Sequence, residues 1–293
     1  MRNIRQATVF LCRLARGSLP HVKNPGNGFT IVEVLIVLAV TGLLFVSAAT
    51  VISGKQNQTA FNQAIQQIEG QIQQTMNEVS TGYYPNAANF QCSASAGGPT
   101  IVAGANSQGT NSGCIFVGKV MQFKVANTNP EQFETYAVAG LQQQGGSGPD
   151  VQSLLDAKPT VVPTSSVAGR LQSGLTTVRM TYKNGGPDVP IGAVAFTSSF
   201  ATYSQGSIVS GSQQLNVVPV IPKVGNPGLG GTIAQGTQDI NTDLVNADSL
   251  INPSGGVSIC FKSGGTNQSA LITIGGSSQP LAVTLAIKTG SVC

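Results

Sequence analysis

A single carboxylate stands where the sequence gives it nothing to neutralise it. From Phe29 to Ile52 the chain reads FTIVEVLIVLAVTGLLFVSAATVI, and Glu33 is its one charged residue. A carboxylate inside a spanning segment costs about 2.5–3.5 kcal/mol on insertion scales, and such residues usually have a partner and a job. No Lys or Arg lies in the run. Hydrolysis after Gly28 would create a cation instead, the new α-amino group of Phe29. That amine would lie four residues away on the same helical face, or on a neighbouring chain. The alternative is that Glu33 sits near the membrane edge and reaches toward water.

Four cysteines form a second candidate set. Cys12 precedes Gly28, leaving Cys92, Cys114, Cys260 and Cys293. An even number in a Gly/Ser-rich exported chain reads as two disulfides, and three connectivities are possible. Cys92–Cys114 and Cys260–Cys293 are favoured because each closes a local loop; four reduced, buried thiols are the alternative.

Other chemistry finds little support. The lone histidine, His21, also precedes Gly28. A mature chain starting at Phe29 therefore lacks histidine-based nucleophile systems and His-containing metal sites. No carboxylate pair is spaced like a glycosidase's. Gly225–Gly231 lacks the Lys-Ser/Thr end of a phosphate loop and reads as a surface turn. Asp239, Asn241 and Asp243 alternate as in the first half of some calcium loops. The glycine at the sixth position and a clear acid at the twelfth are missing, so they read as solvated residues capping a short helix over 241–250. The expectation is a non-enzyme without metal or cofactor.

The elements that position Glu33 follow from the pattern around it. At about 1.5 Å per residue, the 29–52 run spans roughly 36 Å as a helix, enough to cross a bilayer. Residues 1–28 carry Arg2, Arg5, Arg13, Arg16 and Lys23 and no acid, whereas the rest of the chain holds 10 basic and 11 acidic residues. The positive segment would stay on the cytoplasmic side. The mature charge of −1 offers no basic stripe for nucleic acid. An ordinary secretory signal is cut after its apolar core. Here the turn-prone Asn24-Pro25-Gly26-Asn27-Gly28 precedes the apolar run, so a cut there leaves the anchor on the mature protein.

Gly28-Phe29-Thr30-Ile31-Val32-Glu33, followed by an apolar run containing Gly42, resembles the N-terminus of type IV prepilins and type II secretion pseudopilins. The resemblance covers about residues 24–80. It implies that a prepilin peptidase/N-methyltransferase cuts after Gly28 and methylates Phe29. It also implies that Glu33 pairs with the terminal amine of an adjacent pilin or pseudopilin subunit. The implied partners are that enzyme, other subunits, an inner-membrane assembly platform and, before assembly, membrane lipid. The implied location is the cytoplasmic membrane, single-pass with the head outside, and then a surface or periplasmic filament. Asn27 stands where many members carry a basic residue. Phe29 to Ser80 contains no proline, which favours a minor pilin or pseudopilin.

Past a break at Ser53-Gly54-Lys55, Phe61, Ala64, Ile65, Ile68, Ile72, Met76 and Val79 recur at three- and four-residue steps, with Gln and Asn opposite. This predicts an amphipathic helix over 55–80, packed on the head's own sheet and ending near Gly82 with Pro85 beyond. The expected organisation is a leader over 1–28, a long helix over 29–80 (29–52 transmembrane), and a β-rich head over 81–293. The fold class is α+β, a helix on an antiparallel sheet.

Within the head, strands are expected at Ile115–Val125, Phe133–Gly140, Leu175–Lys183, Gly192–Phe196, Leu215–Ile221, Val257–Lys262, Ala270–Ile274 and Leu281–Lys288. In the last, Leu281, Val283, Leu285 and Ile287 alternate with Ala282, Thr284, Ala286 and Lys288, predicting one buried face and one wet face. Residues 86–113 read as a loop between cysteines, and 141–169 as a long Gly/Pro/Ser-rich connection. Those loops could equally serve a filament-tip adhesin or a DNA-uptake subunit, the alternative function.

Overall fold

The structure, a computed structural model, describes residues 29–82, 90–104, 113–124, 129–198, 215–221, 244, 251–265, 267–276 and 281–290. The chain divides into two compact units, Met1–Ile52 and Ser53–Cys293. A 50-residue helix, α1 (Ile31–Ser80), belongs partly to each. The helix runs uninterrupted through Ser53-Gly54-Lys55, where the apolar pattern breaks. A glycine weakens a helix interior by only about 1 kcal/mol relative to alanine, and the flanking turns carry it across.

In the first unit α1 has no core. Its apolar side chains face outward on every side, from Ile31 through Val46. An 18-residue window of this helix has a mean hydropathy of 2.6, and none of it is buried. The helix is therefore long and apolar enough to cross a membrane.

In the second unit the same helix becomes one-sided. Phe61, Ala64, Ile65, Ile68, Ile72, Met76 and Val79 are all buried. They lie in one core with side chains from two sheets. The helix stops at Ser80, where Thr81 N–H reaches Asn77 O and Gly82 N–H reaches Val79 O. Gly82 takes φ +67°, a conformation open to glycine at little cost.

Twelve strands occur among the described residues: β1 (Phe90–Ser95), β2 (Gly98–Ala103), β3 (Cys114–Phe123), β4 (Gln132–Leu141), β5 (Thr160–Arg170), β6 (Leu175–Tyr182), β7 (Val189–Ile191), β8 (Ala193–Ser198), β9 (Leu215–Val220), β10 (Val257–Ser263), β11 (Gln268–Ile274) and β12 (Val283–Thr289). One five-stranded sheet has the order β5-β4-β3-β8-β9, and a second the order β12-β11-β10-β6-β7. Every pairing is antiparallel. The architecture is α+β, a long N-terminal apolar helix followed by antiparallel sheets, and it is consistent with a pilin-like fold.

The chain changes sheets at Gly192, between β7 and β8. Its N–H donates to Val220 O and its carbonyl accepts from Phe123 N–H. Both groups are thus satisfied where the strand leaves one ladder for the other. Met121, Phe123, Phe133, Val194, Phe196 and Val217 from the first sheet share the α1 core with Met180, Val257, Ile259, Phe261, Ile272 and Ile274 from the second.

The first sheet is buried on both faces. Val120, Tyr136, Val138, Ala193, Ala195 and Val218 form a second cluster with Leu154 and Ala157 of a short helix, α2 (Leu154–Ala157), and with Leu244. At Gly118 a Cβ would stand 2.0 Å from Phe196 O, so only glycine admits the close approach of β8 beside the irregular step between Phe116 and Gly118.

Three expectations for the head need correction. Residues 86–113 are not simply a loop, since β1 and β2 pair from Phe90↔Ala103 to Ser95↔Gly98. The Ser95 hydroxyl donates to Gly98 O across the tight turn. The 141–169 connection likewise contains a 3-10 turn at Gln144–Gly146, α2 and all but the last residue of β5. β5 is an edge strand, where Pro163 is tolerated. Its pairing with β4 slips between Thr135 and Ala137, and there the Ser165 hydroxyl accepts from Ala137 N–H and donates to Val162 O. Finally, the alternation in β12 is only partly realised. Val283 and Leu285 pack against the core as partly buried residues, whereas Leu281 and Ile287 are exposed, because β12 is the last strand of its sheet.

Candidate functional site

The site begins at the start of α1. Phe29 and Thr30 precede the helix, and Phe29 is 79% exposed. Thr30 occupies the N-cap position. Its carbonyl accepts from Val34 N–H at 3.2 Å, and its hydroxyl accepts from Glu33 N–H at 3.3 Å. A threonine oxygen thereby satisfies one of the orphan amides that every helix start leaves. Glu33 is exposed and lies in the first turn, where a carboxylate also suits the positive end of the helix dipole.

This geometry changes one expectation. Phe29 lies outside the helix, so helical register does not hold its nitrogen on the face that carries Glu33. Gly28 lies outside the described residues. Thr30 is the residue that sequence reasoning passed over, although Thr-x-x-Glu ahead of an apolar run is a capping signature.

The cysteines lie in the second unit. Cys92 on β1 and Cys114 at the start of β3 form a disulfide, with Cα atoms 6.2 Å apart and a sequence separation of 22. It fastens the β1–β2 hairpin to the first sheet, where Phe90, Cys92, Ala139 and Val162 make a small buried cluster. Cys260 on β10 is also disulfide-bonded. Its expected partner, Cys293, lies outside the described residues.

Two polar groupings sit in the head. Lys119 of β3 pairs with Glu78 near the end of α1 at 2.5 Å, with side-chain exposures of 6% and 22%. Gln74 also donates to Glu78, at 2.8 Å. On β4, buried Tyr136 hydrogen-bonds the Glu134 carboxylate, which pairs with Lys124 at 3.1 Å. Burial, followed by the adjacent carboxylate, pushes the Tyr136 phenol above its ordinary range. Each grouping is built around an ion pair within the head. They tie strands and helix together.

A recess of about 330 Å³ lies beside the disulfide, lined by Cys92, Ser93, Ala94, Gly113, Gln142, Gln143 and Gly146. It presents no charged side chain. No group of three or more His, Cys, Asp or Glu side chains that could hold a metal is found among the described residues. Asp239, Asn241, Asp243 and Gly225–Gly231 fall outside them.

No curated protein and no solved structure matches the chain significantly. Residues 24–49 match a family described as the prokaryotic N-terminal methylation motif. That window contains Gly28, Phe29, the Thr30 cap and Glu33, and it runs into the exposed apolar part of α1. The chain carries the prepilin-type leader motif of type IV pilins and pseudopilins, which supports a pilin- or pseudopilin-like precursor.

Proposed function

We propose that this chain is the precursor of a structural subunit of a type IV pilus or type II secretion-like filament. A prepilin peptidase/N-methyltransferase hydrolyses the Gly28–Phe29 bond and methylates the new terminus. The apolar helix then leaves lipid for the packed interior of a fibre, with the head outside the cytoplasm. Glu33 pairs with the terminal amine of an adjacent subunit. Pairing offsets the cost of holding a carboxylate in an apolar setting, which makes Glu33 a selector for correctly seated neighbours. The carrying observation is the match over 24–49, in register with a helix that starts at Ile31 and is exposed on all sides over residues 31–50.

The test is to express the full chain with and without prepilin peptidase and determine the N-terminus by mass spectrometry. A mature chain beginning at methylated Phe29 is expected. Retention of the leader, or a cut beyond the apolar run, would overturn the reading. Glu33→Val should then be processed as wild type but be recovered poorly in sheared filaments. Normal incorporation of that variant would remove Glu33 from assembly.

A further inference from the structure

We infer that Thr30 is a positioning residue for leader removal: by capping α1 it ends the helix two residues short of the Gly28–Phe29 bond and so keeps that bond available for hydrolysis. The inference rests on the proposed cut after Gly28. In the reaction, water adds across one amide, leaving a carboxylate on Gly28 and an amine on Phe29. A peptide bond inside a helix has its N–H and C=O engaged by other residues of the same helix, and its backbone is curled. Proteins that bind a peptide through its main chain need it extended, with those groups free.

The position of the helix start is thus a substrate property, and the structure shows what sets it. Thr30 spends its hydroxyl on Glu33 N–H and its carbonyl on Val34 N–H. The first helical residue is therefore Ile31, and Phe29 stays outside and exposed.

Among the described residues, nothing else in the adjoining turn does this work. Phe29, Ile31 and Val32 have no side-chain oxygen, and the Glu33 side chain cannot cap its own amide. Upstream, Gly28 resists helix entry by only about the amount that one glycine costs. Without the cap, Thr30 and Phe29 can join the helix, which brings the first turn onto the reacting bond. Threonine also matters by what it replaces. Valine has nearly the same shape but no acceptor, so it removes the cap while leaving the β-branched bulk.

The experiment measures initial rates of leader loss from the full-length precursor in membrane vesicles containing prepilin peptidase, with cleavage read by mass. Insertion of each variant is checked first by alkaline extraction. A Thr cap is worth about a factor of five in the local equilibrium. Thr30→Val and Thr30→Ala should therefore be cut more slowly, by at most about fivefold. Thr30→Ser, Thr30→Asn and Thr30→Asp, which cap by different atoms, should all stay within about twofold of wild type.

Rates for Val and Ala equal to wild type would overturn the inference. Rescue by Ser alone would also overturn it, because the peptidase would then be reading the hydroxyl rather than the helix start. Should Thr30→Val fail to insert, Thr30→Ala carries the comparison with Asn and Asp. If the wild-type chain is not cut after Gly28 at all, the proposed function fails first. If it is cut and the uncapped variants are cut equally fast, only the role of Thr30 falls.

Discussion

The ion pair between Glu78 and Lys119 should respond unequally to loss of its two partners. Lys119 lies on β3 with 6% of its side chain exposed, whereas Glu78, on the last turn of α1, retains 22%. Glu78→Leu would strand an ammonium ion in a nearly closed site between helix and sheet. Removing one member of a buried pair costs about 3–5 kcal/mol, chiefly through the uncompensated charge left behind. Lys119→Met leaves a carboxylate that can still reach water and still accepts from Gln74. That change should cost about 1 kcal/mol, near the value of a partly exposed pair. The double variant should recover most of the Glu78→Leu loss, giving a coupling of about 2 kcal/mol or more. The assay is denaturant unfolding of the full chain in detergent, followed by tyrosine fluorescence and circular dichroism. Equal losses for the two single variants, or additivity in the double, would refute the argument that the buried lysine is the vulnerable partner.

The remaining predictions concern the head. Tyr136 keeps its proton more tightly when folded than its ordinary pKa of about 10, so the folded state binds more protons than the unfolded state above that pH. Its contribution to stability is present in full below about pH 10 and is lost as pH rises beyond it. Tyr136→Phe should therefore flatten the alkaline limb of a stability-versus-pH curve measured between about pH 9 and 11, and an unchanged limb would contradict this. For the Cys92–Cys114 disulfide, Cys92→Ser/Cys114→Ser reopens a loop whose ends are 22 residues apart. A loss of about 3 kcal/mol is expected from chain entropy, with amide exchange rising first in β1 and β2. Uniform faster exchange across both five-stranded sheets would show that the bridge acts globally instead.

How much of this was legible in the sequence depends on where the information resides. The stripe from Phe61 to Val79 could be read directly because its period matches the helix and each member faces one core. Strands such as β3, β6 and β10 were visible for a similar reason, since they are dense in β-branched and aromatic side chains. β1 and β5 were not. Their residues, FQCSAS and TVVPTSSVAGR, resemble loop composition, and their strand state is imposed by neighbours. β1 is held by pairing with β2 and by the bridge to Cys114. β5 is held by β4, with Ser165 repairing the slip that Pro163 accompanies. At the candidate site Glu33 was conspicuous because a charge in an apolar run violates a rule. Thr30 was not, because a threonine violates none. Its role appears only once the helix start is located to the residue.

The two halves of α1 place different demands on their surroundings. From Phe61 to Val79 the apolar side chains occupy one face, and the two sheets satisfy them. From Ile31 to Val46 the large apolar side chains are between 45% and 81% exposed, and they are distributed around the whole circumference. A single partner helix covers only one stripe, because ridges pack into grooves along a line of contact. An all-round apolar surface therefore needs an environment that encloses it, such as lipid or several helices at once. A lone docking partner would leave most of that surface in water, at about 25 cal/mol for each Å² not buried. A bilayer followed by the interior of a many-subunit fibre meets the requirement at both stages. On the proposed assembly, exchange between the two would turn on specific packing and on Glu33, because lipid tails and apolar side chains are otherwise nearly equivalent solvents for this helix.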